Sequence, residues 1–350
     1  MKKALSLILA LALVFALAGC SSSNNNTTTP ATTAANNTTA SNETQPTSSW
    51  PAKDIRLIVP YSAGGNSDLC ARKLAEIIEK KNLLNGHTLV VTNIQGSATQ
   101  EAFNALMTAD PDGYTILMQH NAILTQPAFG NVSFTMEDVG AVCKLMDQPF
   151  MIFASGDAPF NTTAELVAYC KDHPGEKITM GVPGVGSSGQ IGVEVFLAEA
   201  GIRDSMQFVY YPSGGDSLTG HLAGECVLHG GFATDGMRYV PSGELKVIAV
   251  SGQSRNASIP DVECFGELGF KTDYLTYQGM WVTKGTPDDV VNQIAKVFEQ
   301  AVNSDEFKQY CDEQGCSPAY IGPQEWHDLM ANLNSVIVDL VQKYGLANSK

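Results

Sequence analysis

The chain has 350 residues, with 21 basic and 36 acidic side chains and a net charge of −15. This acidic balance argues against nucleic acid or an anionic membrane face as a partner, because both repel a negatively charged surface. The 301 residues that follow position 49 are enough for two lobes with separate hydrophobic cores.

Residues 1–19 predict an export signal. Two lysines precede an apolar run over Ala4–Leu17, which is shorter than the roughly 20 residues that a membrane-spanning helix needs. The run ends in Leu-Ala-Gly-Cys at Cys20, a sequence that resembles the cleavage box of a bacterial lipoprotein. The resemblance implies cleavage before Cys20 and lipid attachment to it. The alternative is an ordinary signal peptide with an incidental cysteine.

Residues 20–49 predict a flexible tether. Of the 29 residues from 21 to 49, 21 are Ser, Thr or Asn, and such a segment buries too little apolar surface to offset the entropy of ordering. Removing residues 1–19 takes away two lysines and no acid, which leaves a net charge of −17. We therefore expect an extracytoplasmic, lipid-anchored protein that meets the bacterial cell membrane through its N-terminal lipid only.

Apolar runs of strand length alternate with helical patterns through the rest of the chain. The strand-like runs cover residues 55–59, 88–91, 115–118, 150–153, 178–182, 208–211, 246–250 and 279–282. The helical patterns cover about 67–81, 97–108, 162–171, 189–200, 215–223, 287–302, 304–313 and 323–344. This alternation predicts an α/β fold with largely parallel sheets. We place one lobe in residues 50–150 together with 277–350, and the other in 151–276.

The most informative segment is Ile55–Asp68, where a buried strand leads through a proline and two glycines into a helix. Gly64 and Gly65 predict a sharp turn that side chains would block. The polar residues at 66–68 can cap the helix that follows. Because a helix start presents unpaired backbone N–H groups and a partial positive charge, this segment predicts an anion site.

Three later loops repeat the glycine-rich arrangement. They are MGVPGVGSSG over Met180–Gly189, YPSGGD over Tyr211–Asp216 and, more weakly, HGGFATD over His229–Asp235. Loops of this kind gather outside the carboxyl ends of strands, so we expect them to face one cleft and to bind a carboxylate. Residues 184–189 also match the dinucleotide fingerprint, but the next strand lacks the acid that would hold a ribose. We therefore expect no cofactor.

The order of these motifs resembles the solute-binding receptors of tripartite tricarboxylate transporters. The family's apolar strand with P-[FY]-x-x-G-G-x-x-D resembles Ile58–Arg72, and its turn into G-Y-T resembles Asp110–Thr115. Its G-x-G-S segment resembles Gly184–Ser187, and its P-Y-x-G-G loop resembles Tyr210–Gly215. The resemblance covers nearly all of residues 51–345.

This resemblance implies a two-lobed α/β fold of the type II periplasmic-binding-protein kind, with a ligand cleft between the lobes. It implies capture of a small di- or tricarboxylate, or a related organic acid, and delivery to a transporter with large and small integral-membrane subunits. We expect a monomer without metal, cofactor or enzymatic activity. Together with the loops, the resemblance gives the expected ligand-binding residues Tyr61, Ser62, Ala63, Gly64, Gly65, Asn66, Asp68, Gly184, Val185, Gly186, Ser187, Ser188, Ser213, Gly214, Thr234 and Asp235.

Several points stay open at this stage. Asp68 can hold water in the site or simply cap the helix. The segment Asn93–Thr99 lacks the arginine and the glycine pair of the family pattern N-R-P-G-A-G-G, and we expect it to decide which carboxylate fits. Cys311 and Cys316 can form a local disulfide. The alternative functions are a ligand-sensing lipoprotein that serves a signalling receptor and a secreted hydrolase, although no G-x-S-x-G elbow occurs.

Overall fold

The computed structural model describes residues 50–184, 186–211, 214–256, 259–272 and 274–347. The predicted export signal, the lipidated Cys20 and the tether lie outside these ranges, and so do two expected site residues, Val185 and Ser213. Among the described helices, none is long and apolar enough to cross a membrane.

Ten strands and ten α-helices make up the described part of the chain. The strands are β1 Ile55–Val59, β2 Leu89–Asn93, β3 Thr115–Gln119, β4 Val139–Ser155, β5 Ile178–Pro183, β6 Met206–Tyr211, β7 Leu228–Phe232, β8 Leu245–Val250, β9 Leu275–Thr283 and β10 Ser317–Ile321. The helices are α1 Asn66–Lys80, α2 Gln100–Met107, α3 Ala122–Ala128, α4 Thr163–Asp172, α5 Ser188–Ala200, α6 Gly214–Leu222, α7 Ala233–Gly236, α8 Asp288–Val302, α9 Asp305–Gln314 and α10 Pro323–Lys343.

The strands form one mixed sheet in the order β2-β1-β3-β9-β4-β7-β5-β6, and β8 and β10 also pair with β4. β1 is parallel to β2 and β3, and β5 is parallel to β6 and β7. β9 and β4 are antiparallel to all of their described neighbours. The prediction of largely parallel sheets is therefore wrong. The physical reason is that two long antiparallel strands connect two separate parallel groups.

β4 is the element that the sequence pattern described least well. It runs for 17 residues, whereas the apolar pattern marks only 150–153, because Gln148 and Pro149 interrupt the run. Register shifts in its pairing with β9 let the strand bend as it passes from one group of strands to the other. The sequence analysis also missed β7, which is glycine-rich, and β10, which contains Pro318 and pairs with β4 at its outer side.

The buried side chains form separate clusters around this sheet. One cluster draws its residues from 55–118, 142–146 and 280–316, and a second from 151–264. The largest cluster contains Trp281 and Trp326, whose ring centroids are 5.4 Å apart. The two small clusters follow the predicted lobe boundaries, and the division into two lobes stays a prediction.

The described cysteines are all free thiols. Cys311 and Cys316 do not form the disulfide considered from the sequence. Both are buried, and the Sγ of Cys316 lies 3.6 Å from the Sδ of Met146. The pair therefore belongs to the packed core behind α9 and β10.

Candidate functional site

A cleft of about 400 Å³ lies where α1, α5 and α6 begin. Ten of the expected site residues line it, namely Tyr61, Ser62, Gly65, Asn66, Gly184, Ser187, Ser188, Gly214, Thr234 and Asp235. Four others, Ala63, Gly64, Asp68 and Gly186, do not line it. The chain thus brings loops that are more than 100 residues apart in sequence to one place.

The first wall of the cleft is the turn between β1 and α1. Gly64 adopts a φ of +81°, which L-amino acids with side chains rarely adopt. Gly65 has an ordinary φ of −74° and occupies the N-cap of α1 without a capping side chain. The conformational requirement therefore falls on Gly64, while a Cβ at Gly65 would lie only 3.2 Å from the Ser62 carbonyl oxygen, so the turn leaves little room for a side chain there as well. Asn66 begins the helix, so its N–H and those of the next two residues have no acceptor within the helix.

The buried Asp68 side chain stabilises this turn by hydrogen bonds. Its carboxylate is 1% exposed and accepts hydrogen bonds from the Gly64 N–H at 2.8 Å, the Arg72 Nε at 2.9 Å and the Asn93 Nδ2 at 2.9 Å. Burial of the carboxyl group opposes ionisation. The hydrogen bonds from Arg72, Gly64 and Asn93 outweigh it, so the pKa of Asp68 lies below its usual range. The side chain thus holds the loop by its backbone and is not one of the residues that line the cleft.

The second wall is the turn between β5 and α5. Ser187 is the N-cap of α5, and its Oγ accepts the N–H of Gln190 at 3.1 Å. The Gln190 Oε1 in turn accepts the N–H of Gly186 at 2.7 Å. Gly186 has a φ of +76°, and a Cβ there would collide with the Asn131 side chain. Ser188 and Gly189 line the cleft, and their N–H groups, the first of this helix, have no acceptor within the helix.

The third wall combines α6 with the turn after β7. Gly214 starts α6, and the carboxylate oxygens of Asp235 would lie 3.6 and 3.8 Å from a Cβ at that glycine. Asp235 accepts the Phe232 N–H at 2.8 Å, yet burial raises the pKa of its carboxyl group above the usual range. The Asp235 carboxyl group thus lies beside the start of α6, where its raised pKa favours the neutral form more than in an exposed carboxyl group.

A stacked pair of rings joins the first two walls. Tyr61 and His120 stack with ring centroids 5.0 Å apart, and the Tyr61 hydroxyl donates to the Gln119 Oε1 at 2.6 Å. The Nδ1 of His120 accepts the Ala122 N–H at 3.1 Å and lies 3.2 Å from the Ser188 Oγ. Burial lowers the pKa of His120 to about 4, so the imidazole is neutral with its proton on Nε2.

Several lining residues were missed by the sequence analysis, namely Ser67, His120, Gln148, Thr276 and Gln278. Gln148, Thr276 and Gln278 lie on β4 and β9, where a polar side chain inside an apolar strand was the available signal. His120 directly follows β3, at the carboxyl end of a strand that neighbours β1. That position is typical of ligand contacts in α/β sheets, so it was a signal in the sequence for His120 as a lining residue.

The segment that departs from the family pattern borders a second cavity of about 430 Å³. Gln95, Gly96, Ala98 and Thr99 line this cavity and none of them lines the main cleft. Both cavities share Tyr61, Ser62, His120 and Ser187 as lining residues. The segment can therefore influence the main cleft through the shared residues, and its effect on ligand choice stays a prediction.

Within the described ranges, no group of three or more His, Cys, Asp or Glu side chains could hold a metal ion. The described lining of the cleft contains one acidic side chain, Asp235, no arginine or lysine, and a histidine that is neutral. An anion in this cleft would therefore be held by backbone N–H groups, hydroxyls and amides.

The comparisons with known proteins all indicate one protein family. A family model described as "Tripartite tricarboxylate transporter family receptor" matches residues 70–346. A UPF0065 protein from the gbd 5' region of Cupriavidus necator is 26% identical over 303 residues, which cover 86% of this chain and 90% of that protein. The crystal structure of a TctC solute-binding protein from Polaromonas superimposes with a TM-score of 0.72 at 26% identity, over 84% of this chain and 99% of that chain.

Two more distant structures contain ligands. The R. palustris protein Rpa4515, solved with adipate, is 21% identical with a TM-score of 0.71, over 85% of this chain and 99% of that chain. MatC from Rhodopseudomonas palustris, solved with malate, is 18% identical with a TM-score of 0.64, over 84% of this chain and 98% of that chain. The mixed α/β fold with its cleft is thus the fold of periplasmic binding proteins, as expected. With a family model that spans most of the described residues, this chain belongs to the tripartite tricarboxylate transporter family of solute-binding receptors.

Proposed function

We propose that this protein captures a small organic carboxylate outside the membrane and delivers it to a tripartite tricarboxylate-type transporter. One observation carries the proposal. The N-termini of α1 and α5 come from distant parts of the chain, and both lie in the described lining of one cleft that holds no cationic side chain. Two helix starts that face one space form an anion site without any basic residue.

The hydrogen bonds of such a site supply a large part of the binding free energy that a receptor needs. A hydrogen bond to a charged group contributes about 1.5–3 kcal/mol net. Three or four of them from the starts of α1 and α5 approach the roughly 8 kcal/mol that micromolar binding requires, before ordering costs are subtracted. Since the chain after residue 19 has a net charge of −17, this local geometry must overcome an unfavourable overall field.

The relatives support the class of ligand. Adipate and malate, found in the two R. palustris structures, are both small dicarboxylates. On this basis the ligand of the present protein is an organic acid of similar size, and a cleft of about 400 Å³ accommodates such a molecule.

The remaining parts of the proposal rest on the sequence. The apolar run before Cys20 and the polar segment 20–49 support a lipid-anchored protein that works on the outer side of the cell membrane, and we expect it to be a monomer. The partners that the family implies are one large and one small integral-membrane subunit. A lipoprotein that passes the same ligand to a signalling receptor remains the alternative, and binding measurements with the permease subunits separate the two.

One contact favours a second candidate, a hydrolase. Ser188 lies 3.2 Å from the His120 Nδ1, as a nucleophile would lie beside its base. However, this nitrogen already accepts the Ala122 N–H, and a histidine whose pKa is about 4 is a weak base at neutral pH. A receptor accounts for the same contact, because Ser188 and His120 can both donate hydrogen bonds to a bound carboxylate.

A thermal-shift screen tests the proposal. Purified protein is heated with mono-, di- and tricarboxylates and aromatic acids, with the fully amidated form of each acid as a matched neutral control. We expect at least one carboxylate to raise the melting temperature, bind one per chain and be recovered unchanged, while its amidated form has no effect. Absence of stabilisation by every carboxylate would reject the receptor, and turnover of a bound acid or of an ester substrate would favour the hydrolase.

A further inference from the structure

The acidic side chain that lines the described part of the cleft, Asp235, belongs to α7, which directly follows β7. Its Oδ2 accepts the Phe232 N–H at 2.8 Å. A Cβ placed at Gly231 would lie 2.9 Å from this oxygen, and a Cβ at Gly214 would lie 3.6 Å from it. Both glycines also line the cleft, so the carboxyl group lies between β7 and the start of α6, at the surface that a ligand meets.

The groups in contact with Asp235 stabilise its ionised form poorly. Burial raises the pKa of Asp235, and it outweighs both the Phe232 N–H, which donates to the carboxylate, and the positive charge of Arg238 in the turn after α7. The histidine beside it on β7, His229, is buried and neutral, with a pKa lowered to about 3. The described lining of the cleft adds no arginine or lysine.

The other elements around α7 do not change this balance. β4 packs against α7 through the apolar Phe153, and its two charged side chains, Lys144 and Asp147, pair with each other at 2.7 Å. The turn after α9 touches Ala233 through Gly315. The titratable side chains on α6, in the last turn of α9 and across the cleft are acidic or neutral, namely Asp216 and His221, then Cys311, Asp312 and Glu313, and finally His120.

The size of the cleft brings a bound anion close to Asp235. A sphere of about 400 Å³ is roughly 9 Å across, so a carboxylate at the starts of α1 and α5 lies within about that distance of the Asp235 carboxyl group. If Asp235 were ionised, repulsion over roughly 9 Å at an effective dielectric constant of about 20 would weaken binding roughly 20-fold. A neutral carboxylic acid removes this repulsion, and its O–H can donate a hydrogen bond to the ligand or to a bridging water.

We propose that the ligand carboxylate is captured together with one proton, which Asp235 carries as a neutral carboxylic acid in the wall of the cleft. Binding then converts the ionised fraction of Asp235 to the acid with a proton from solvent, and no bond of the ligand is made or broken. Because the bound state holds more protons than the free state, affinity falls as pH rises through the titration of Asp235. This inference rests on the proposed function, since the ligand anion is held at the starts of α1 and α5.

The proton is counted by calorimetric titration of the wild-type protein at pH 6.5. Acetate, malate, adipate, citrate and benzoate are the probes, and each is titrated in Bis-Tris and in imidazole, cationic buffers whose heats of ionisation differ. We expect the tightest probe to take up at least about 0.2 proton per ligand, beyond the titration of the probe itself. No uptake by the wild-type protein overturns the inference without the need for any variant.

Asp235→Asn identifies the group that takes up the proton, because it keeps an acceptor for the Phe232 N–H but cannot ionise. We expect the ratio of the wild-type Kd to the variant Kd to rise by about three- to 20-fold from pH 5.5 to pH 8, with circular dichroism confirming both folds. Glu194→Gln is the matched control, since Glu194 is buried, bound to Arg203 and outside the lining of the cleft, and it should keep the wild-type uptake.

Two further results would overturn the inference. Uptake that persists in Asp235→Asn would assign the proton to His120, the histidine of the cleft. Binding by none of the five probes would also reject proton-linked capture, whereas the receptor itself fails only if no carboxylate of the wider thermal-shift screen binds.

Discussion

Asp68 offers the sharpest test of how the first wall of the cleft is held. Its carboxylate accepts the Gly64 N–H, the Arg72 Nε and the Asn93 Nδ2, all within 2.9 Å. Asp68→Ala removes these acceptors and leaves the Gly64 N–H without its partner, while the Asn93 Nδ2 keeps its hydrogen bond to the Tyr61 carbonyl oxygen at 3.0 Å. The loop from Tyr61 to Gly65 then loses the bond that fixes its backbone at Gly64.

The structure sets the expected size of this effect. Removing one partner from a buried, hydrogen-bonded ion pair costs about 3–5 kcal/mol. Because the Arg72 side chain is 50% exposed, water replaces part of what it loses, and we expect the free energy of unfolding to fall by about 3 kcal/mol. Reordering the loop on ligand binding costs a further 1–2 kcal/mol or so per residue. A penalty of about 2 kcal/mol corresponds to a roughly 30-fold higher Kd.

The assays are urea unfolding and calorimetric titration with the best carboxylate from the screen. Asp68→Asn keeps one acceptor and should fall between the wild type and Asp68→Ala. Glu194→Ala is the matched control, since Glu194 is also buried and bound to an arginine, Arg203, but does not line the cleft. It should lower stability and leave the Kd unchanged. A wild-type Kd in Asp68→Ala would refute the positioning role of this carboxylate.

Three further predictions concern the second wall, the buried histidines and the strained turn. Gly186→Ala forces a side chain into a left-handed conformation against Asn131, so titration should show a Kd at least tenfold higher, with stability lower by about 1–2 kcal/mol. Burial lowers the pKa of His120 and His221 to about 4 and of His229 to about 3. Because the unfolded state takes up these protons below about pH 6.5, the free energy of unfolding in urea should fall by about 5 kcal/mol between pH 7 and pH 5. Ala98 has a φ of 54°, so Ala98→Gly should raise the free energy of unfolding by about 1 kcal/mol.

Two of these predictions have a matched control. Gly175→Ala introduces the same backbone strain, with a φ of +95°, outside the cleft, and should lower stability without changing the Kd. Ala75→Gly lies inside α1 and should lower stability by about 1 kcal/mol, opposite in sign to Ala98→Gly. A Gly186→Ala variant with wild-type affinity, a urea midpoint independent of pH from 7 to 5, or a destabilised Ala98→Gly protein would each contradict the corresponding argument.

The parts of the site that the sequence predicted are those that local chemistry determines. Glycine-rich turns between an apolar run and a helical pattern are visible in the residues themselves, and the turns at Gly64 and Gly186 follow from backbone sterics. The sequence alone therefore predicts that the loops at 61–66 and 184–188 border a cleft. The family and the α/β fold followed from the order of the same motifs.

The parts that could not be predicted depend on contacts between distant segments. Gln148 and Gln278 become neighbours of the cleft only because β4 and β9 pair in one register, which no local pattern specifies. The pairing also explains why the sheet is mixed, since both strands run antiparallel to their neighbours. From the sequence, Asp68 could be a helix cap or a site residue. Its hydrogen bonds to Arg72 and Asn93 depend on the folded chain, because Asn93 lies 25 residues away in sequence.

The most direct test of the central claim is a crystal structure with the tightest carboxylate from the thermal-shift screen. The account predicts carboxylate oxygens within about 3 Å of backbone N–H groups at the starts of both α1 and α5, near Ser67 and Ser188, with no arginine or lysine in contact. A carboxylate bound outside this cleft, or held by a cationic side chain, would contradict it.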